Sequence, residues 1–75
     1  MNIDIVVDAK GLSCPMPIVK VKKAIDNLQS GQVMMVETMD KGSVNDFQGW
    51  VRQTNHELMS MEQENGVYRF FVKKA

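Results

Sequence analysis

The sequence predicts a two-layer α/β (α+β) sandwich in which a four-stranded mixed sheet carries two helices on one face. Two segments repeat apolar residues at helical spacing, and four shorter segments are rich in apolar or β-branched residues. Their order is strand, helix, strand, helix, strand, strand. We expect the 75 residues to form a single domain, residues 1–75, because so short a chain buries only one core.

The first strand and the first helix are predicted on either side of a short loop. Residues 3–9 are mostly β-branched and predict a partly buried strand. Pro15 and Pro17 predict the start of a helix, because backbone N–H groups in a first turn have no intrahelical partner to lose. The helix is expected from about Pro15 to Gln29, with Gly31 as its C-terminal cap. Its apolar stripe consists of Ile18, Val21, Ile25 and Leu28.

The rest of the chain predicts a central strand, a second helix and a hairpin. Residues 33–39 are mostly apolar, which is typical of a central strand. Ser43 is the predicted N-cap of a helix that ends near Thr54. Asn65-Gly66 then separates two strand-like segments, 57–63 and 67–72, and is a strong hairpin signal. The helical crossover makes the first two strands parallel, whereas the hairpin strands are antiparallel.

The predicted core includes residues from every predicted element. Its members are Val6, Val21, Ile25, Leu28, Val36, Phe47, Val51, Leu58 and Phe70.

Composition excludes several classes of protein. Nine acidic and nine basic residues give a net charge of zero, which argues against direct nucleic-acid binding. A single cysteine rules out an internal disulfide and favours a reducing, cytoplasmic location. Asp4 and Asp8 interrupt the first apolar run, so we expect no signal peptide, and no run is long enough for a membrane span.

We predict neither a cofactor nor a metal site. The seven methionines could in principle offer thioether ligands to copper, but filling gaps in a small core is the commoner use of methionine. His56 has no histidine or cysteine companion, which favours a capping or surface role.

Cys14 is the candidate catalytic residue, and it stands in the run Cys14-Pro15-Met16-Pro17 before the first helix. Free N–H groups and the helix dipole at a helix N-terminus favour a thiolate over a thiol. The supporting loop consists of Lys10, Gly11, Leu12, Pro15, Met16 and Pro17: the prolines fix the backbone, Gly11 lets it bend, Lys10 is the cation nearest in sequence, and Met16 is expected to be exposed.

The residues alone leave two interpretations of Cys14 open. A free cysteine is often a buried small hydrophobe. The alternative is a nucleophile that accepts a group, such as sulfur, and passes it on, because no second cysteine is present for an internal disulfide cycle. The proline and glycine content of the loop favours the second interpretation.

The run from Asp8 to Pro17 resembles the signature of the TusA-like (SirA-like) sulfurtransferase family, a Gly-Leu-x-Cys-Pro-x-Pro loop. The likeness continues through Ser30-Gly31-Gln32, Asp40, His56-Glu57-Leu58 and the hairpin, and covers nearly the whole chain. It implies a βαβαββ fold and a sulfur carrier with a persulfide on Cys14. It also implies protein partners: a cysteine desulfurase or rhodanese-like donor and a DsrE-like or similar acceptor, in pathways such as tRNA thiolation. We expect a monomer in the absence of partners.

Two other functions remain to be weighed against the sulfur carrier. A regulatory or nucleic-acid-binding module would be retained on heparin or RNA at moderate salt. A thiol redox sensor would use the same activated cysteine, and only the chemistry of the adduct separates it from a carrier.

Overall fold

The computed structural model describes residues 2–12 and 16–75. Within these ranges the predicted order of elements is confirmed. The elements are β1 (Ile5–Asp8), α1 (Met16–Ile25), β2 (Val33–Thr38), α2 (Lys41–Gln53), β3 (Glu57–Glu64) and β4 (Val67–Lys73).

The four strands form one mixed sheet in the order β1-β2-β4-β3. β1 and β2 are parallel, as predicted for strands joined by a helical crossover. β4 is antiparallel to both β2 and β3. The hairpin turn is confirmed as well, because Asn65 and Gly66 have φ angles of 52° and 81°, the signs that a two-residue type I′ turn requires.

Both helices cover the same face of the sheet. Val7, Val36 and Phe70 lie in register across β1, β2 and β4. They form one buried cluster with apolar residues of both helices, including Val21 of α1 and Phe47 of α2. The rings of Phe47 and Phe70 stack with centroids 4.3 Å apart. Because alternate strand residues point to one face, this cluster confirms the predicted two-layer sandwich.

The core prediction is wrong at Val6, which is 54% exposed, whereas its neighbour Val7 is 4% exposed and buried. Leu58 is only half-buried and packs against the edge of the core. The seven other predicted members are buried.

The first helix ends earlier than predicted, at Ile25 rather than Gln29. The backbone N–H of Leu28 donates to the carbonyl of Ile25, three residues back, so the chain tightens into turns while Leu28 remains buried. Gly31 is therefore not the cap of α1. It has a φ of 90° and lies in the turn before β2, where its N–H donates to the carbonyl of Lys74.

The second helix begins two residues before the predicted cap. Asp40 is the N-cap, and its side chain accepts a hydrogen bond from the Gly42 N–H. Ser43 is buried in the first turn, where its hydroxyl donates to Asp40 Oδ2 at 2.8 Å. The predicted end is confirmed, because Thr54 is the C-cap.

No helix among the described residues is long and apolar enough to cross a membrane.

Candidate functional site

The candidate site lies at the carboxyl edge of the two parallel strands. Because β1 and β2 run in the same direction, the loop after β1 and the segment after β2 leave the sheet at this edge. α1 begins here, and so does α2 with its N-cap Asp40. Cys14 and Pro15 belong to the connection between β1 and α1 but lie outside the described residues. In sequence, Cys14 precedes the first residue of α1 by two positions.

Backbone hydrogen bonds fix the loop that leads toward Cys14. Ala9 is completely buried, and its N–H extends the sheet by donating to the carbonyl of Glu37 at 2.8 Å. The N–H of Leu12 donates to the carbonyl of Ala9 at 3.1 Å and closes a turn. Leu12 is half-buried. The approach to Cys14 is thus attached to the sheet by its backbone.

Gly11 is exposed in this turn. A Cβ placed on it would meet no described atom within 4 Å, and its φ lies outside the left-handed region. The described fold therefore does not demand glycine at this position, and a special role of Gly11 in the loop remains a prediction.

Met16 and Pro17 begin α1 and differ sharply in burial. Met16 is 49% exposed, which confirms the expected exposure of its side chain. Pro17 is fully buried in the first turn, where a proline costs the helix no internal hydrogen bond. The proline ring thus packs the start of α1 into the protein while the methionine next to it faces solvent. Val19, one turn further along, is also exposed.

Lys10, the cation that the sequence places nearest Cys14, is held by two carboxylates. Its Nζ lies 3.1 Å from Asp8 Oδ1 and 3.1 Å from Glu37 Oε1. The other Glu37 oxygen, Oε2, accepts a hydrogen bond from Arg69 Nε at 2.9 Å. Asp8, Glu37 and Arg69 lie in register across three strands on the sheet face away from the helices. We call Asp8, Lys10, Glu37 and Arg69 the ion-pair network.

The network shifts the pKa values of its members. The pKa of Glu37 is lowered by the hydrogen bond from Arg69 and then by that from Lys10. The pKa of Asp8 is lowered first by the backbone N–H of Lys10 and then by its ammonium. The pKa of Lys10 is raised, first by Asp8 and then by Glu37. All four groups are therefore charged at neutral pH, and two cations balance two carboxylates.

Lys20 also reaches this edge of the sheet from α1. Its Nζ donates to the main-chain carbonyl oxygen of Asp8 at 2.6 Å. The helical spacing of α1 does not reveal this contact with β1, because the contact depends on how the helix packs on the sheet. Glu37 and Arg69 were missed for a similar reason, because their contacts depend on strand register.

His56 belongs to no metal-binding cluster among the described residues. Its Nδ1 accepts a hydrogen bond from the backbone N–H of Ala75 at 3.1 Å, and its ring lies 5.6 Å from that of Trp50. No group of three or more His, Cys, Asp or Glu side chains in residues 2–12 and 16–75 is arranged to hold a metal ion.

Comparison with known proteins gives consistent matches along the chain. A family model described as Sulfurtransferase TusA matches residues 5–74. The sulfur carrier protein TusA of Allochromatium vinosum is 46% identical over 68 residues, which are 91% of this chain and 90% of that protein. YrkI of Bacillus subtilis (strain 168), also named as a sulfur carrier, is 45% identical over 75 residues and is matched along its full length.

A solved structure shares the fold. The crystal structure of a SirA-like protein from Desulfitobacterium hafniense superposes with a TM-score of 0.80 at 28% sequence identity. The match covers 92% of this chain and 95% of that one.

Proposed function

Because the chain belongs to the sulfurtransferase TusA family, we propose that it accepts sulfane sulfur as a persulfide on Cys14 and relays it to an acceptor protein. The observation that carries the proposal is the family match over residues 5–74, which includes the whole Cys14-Pro15-Met16-Pro17 loop. The relatives named above as sulfur carriers support the same role.

The reaction is a pair of thiolate exchanges without net oxidation. The Cys14 thiolate attacks the terminal sulfur of a persulfide on the donor, the donor S–S bond breaks, and the donor cysteine leaves as a thiolate. Cys14 then carries the persulfide. In the second step an acceptor thiolate attacks the terminal sulfur of this persulfide, and Cys14 is released as a thiolate.

The described surroundings suit a carrier that depends on its partners. Lys10 is engaged by Asp8 and Glu37, and His56 accepts a hydrogen bond from the Ala75 backbone. We therefore assign no general base and rely on the start of α1 to favour the thiolate. The exposed side chain of Met16, two residues after Cys14, offers an apolar contact to a docking protein.

The partners follow the same chemistry. A cysteine desulfurase or a rhodanese-like protein presents a persulfide and is the proposed donor, and a DsrE-like protein or another protein with an accessible thiol is the proposed acceptor. tRNA thiolation is one pathway that would consume sulfur delivered in this way. The reducing cytoplasm is the proposed location, because it keeps a lone thiol from forming disulfides.

A two-stage relay experiment tests the proposal. The protein is loaded by a cysteine desulfurase supplied with radioactive-sulfur cysteine, separated from the donor, and mixed with a DsrE-like acceptor. We expect the label to move to the acceptor and to be released from it by dithiothreitol.

Two controls make the relay experiment decisive. Cys14→Ser should neither take up nor transfer label, whereas Met16→Ala should load on Cys14 but transfer more slowly if Met16 contacts the partner. Transfer by folded Cys14→Ser protein would contradict the proposal. A Cys14 adduct that is a mixed disulfide or sulfenic acid, without added sulfur, would favour a redox sensor instead.

A further inference from the structure

The sheet face away from the helices carries an apolar row. Both helices of the described residues pack on the opposite face, over the core cluster. On the open face Val6, Met35 and Phe71 lie in register across β1, β2 and β4. Met59, at the bulge of β3, lines a surface depression together with Val33 of this face. Val6 is 54% exposed and Met59 is 39% exposed, so apolar side chains at both ends of the row face solvent.

Charged residues flank this apolar row on both sides. One flanking row crosses all four strands in register and consists of Asp8, Glu37, Arg69 and Glu62. The other contains Lys73 of β4 and its register partner Glu57 of β3. An apolar centre with a charged rim is the usual anatomy of a protein–protein interface.

The register makes the centre of this face complementary to a second copy of itself. A two-fold axis parallel to the strands would place β2 of one copy over β4 of the other. Met35 and Phe71 are register partners on these strands, and so are Glu37 and Arg69. Exchanging the strands therefore sets Met35 against Phe71 of the second copy and Glu37 against Arg69 of the second copy. Both are favourable pairs, a thioether with an aromatic ring and a carboxylate with a guanidinium.

The other face-to-face arrangement juxtaposes like charges. A two-fold axis across the strands would stack each strand on its own copy and one charged row on the other. Arg69 would then face Lys73 of the second copy, and Glu62 would face Glu57 of the second copy, as their register positions require. Like charges placed opposite each other oppose association, so the axis parallel to the strands is favoured.

The outer strands and the size of the face limit the strength of such a dimer. With the axis parallel to the strands, Asp8 approaches Glu62 of the second copy, but each has a cation beside it. Lys10 Nζ lies 3.1 Å from Asp8 Oδ1, and Arg69 is the register partner of Glu62. The four strands offer a face of about 20 Å by 20 Å, about half the area that each partner buries in a standard interface. We therefore expect weak association that leaves dilute protein monomeric.

We propose that the open sheet face is the interface of a weak two-fold symmetric dimer of this chain, with β2 of each copy over β4 of the other. The assembly has four layers, helices outside and two sheets inside. The exposed side chain of Met16 on α1 belongs to an outer layer and stays accessible to other proteins. This inference does not depend on the proposed function.

The first test is sedimentation of the protein from about 10 μM to about 2 mM, with dithiothreitol present to exclude dimers linked through Cys14. The average mass should rise toward that of a dimer with concentration. Val6→Glu should weaken association at least about tenfold, because it places a carboxylate in the apolar centre. Met61→Glu is the matched control and should leave association unchanged. Met61 is 46% exposed and is the register partner of the core residue Phe70, on the other face of the sheet.

The arrangement of the two copies is tested by nuclear Overhauser effects between labelled and unlabelled protein in a mixed sample. Contacts between the Met35 methyl group and the Phe71 ring of the other copy are expected. Contacts of Met35 with Met35 and of Phe71 with Phe71, without the mixed pair, would overturn the proposed axis.

The outcomes separate this inference from the proposed function. Protein that stays monomeric at about 2 mM, or equal weakening by Val6→Glu and Met61→Glu in folded variants, overturns the dimer even if Cys14 accepts sulfur. Changes in the NMR signals of Val6 and Met35 on adding a cysteine desulfurase to protein that remains monomeric would assign the face to another protein and also overturn the dimer. Failure to accept sulfur overturns the proposed function and leaves the sedimentation result unaffected.

Discussion

Glu37 is the residue at which the charged contacts of the candidate site converge. One carboxylate oxygen binds Lys10 at the start of the loop, and the other binds Arg69 on the neighbouring strand. The side chain is only 16% exposed, so these contacts are less weakened by solvent than those of a surface ion pair. Glu37 thereby links the sheet to the loop that leads to Cys14.

Replacing Glu37 should have a pH-dependent effect on stability. Because the folded state lowers the pKa of Glu37, its contribution is present above the unfolded value of about 4.3 and is lost as pH falls through the folded pKa. Glu37→Gln should therefore lower the free energy of unfolding by about 1 kcal/mol at pH 7. Urea melts from pH 7 down to acid pH measure the difference, which should vanish below the folded pKa.

Glu57→Gln is the control for this measurement, because Glu57 is an exposed glutamate of β3 that takes part in none of the described ion pairs. A destabilisation by Glu37→Gln that is equally large at acid pH would show that the effect is not due to the carboxylate charge.

Two adjacent valines in β1 test the register of the sheet. Val7 is 4% exposed and Val6 is 54% exposed. Val7→Ala should cost about 2 kcal/mol of unfolding free energy, because two buried methyl groups are lost and a cavity is left. Val6→Ala should cost less than about 0.5 kcal/mol, as is usual for surface substitutions. Equal losses in denaturant melts would contradict the register.

At the level of elements, the turn between β3 and β4 requires a glycine, whereas the interior of α2 does not. Gly66 has a φ of 81° in the β3–β4 turn, so Gly66→Ala should destabilise the protein by about 1–2 kcal/mol. Gly49 lies inside α2, where an added Cβ would meet no described atom within 4 Å. Gly49→Ala should stabilise the protein by about 0.5–1 kcal/mol. Thermal melts of both variants measure the two changes in stability, and a stabilising effect of Gly66→Ala would contradict the assigned turn.

The elements could be predicted from sequence because their signals are local. Asn65-Gly66 specifies its own turn, and the apolar stripe of α2 specifies its own buried face. The buried face of β1 was harder to predict, since Val6 and Val7 are both apolar and a shift of one residue exchanges the two faces of the strand. The end of α1 was missed because Leu28 continues the helical spacing and is buried, although it lies in the turns after the helix.

The predicted N-cap of α2 was wrong because two residues near its start can act as caps. Asp40 and Ser43 are both good N-cap residues, and their spacing in sequence does not rank them. In the structure Asp40 caps the helix and accepts the hydrogen bond of the Ser43 hydroxyl.

The contacts of the candidate site could not be predicted because they join distant parts of the chain. Asp8, Glu37 and Arg69 meet only once the strand order β1-β2-β4-β3 is known. The roles of Cys14 and of Lys10 remain predictions from the loop signature, and Cys14 lies outside the described residues. The described structure engages Lys10 with two carboxylates and brings Lys20 to the end of β1.

For the molecule as a whole, the residues of the core and the residues of the proposed chemistry lie in different parts of the fold. The core lies between the helices and one face of the sheet. The loop toward Cys14, the start of α1 and the N-cap of α2 gather at the carboxyl edge of β1 and β2. This arrangement suits a carrier, because residues at that edge can vary with the partner while the core remains unchanged.

The most direct test of the central claim is the intact mass of the protein after incubation with a cysteine desulfurase and free cysteine. We predict the gain of one sulfur atom, located on Cys14 by peptide mapping and removed by dithiothreitol. Cys14→Ser, shown to be folded by circular dichroism, should gain none. A wild-type protein whose mass is unchanged while the desulfurase is active, or a Cys14→Ser protein that gains the same sulfur, would contradict the account.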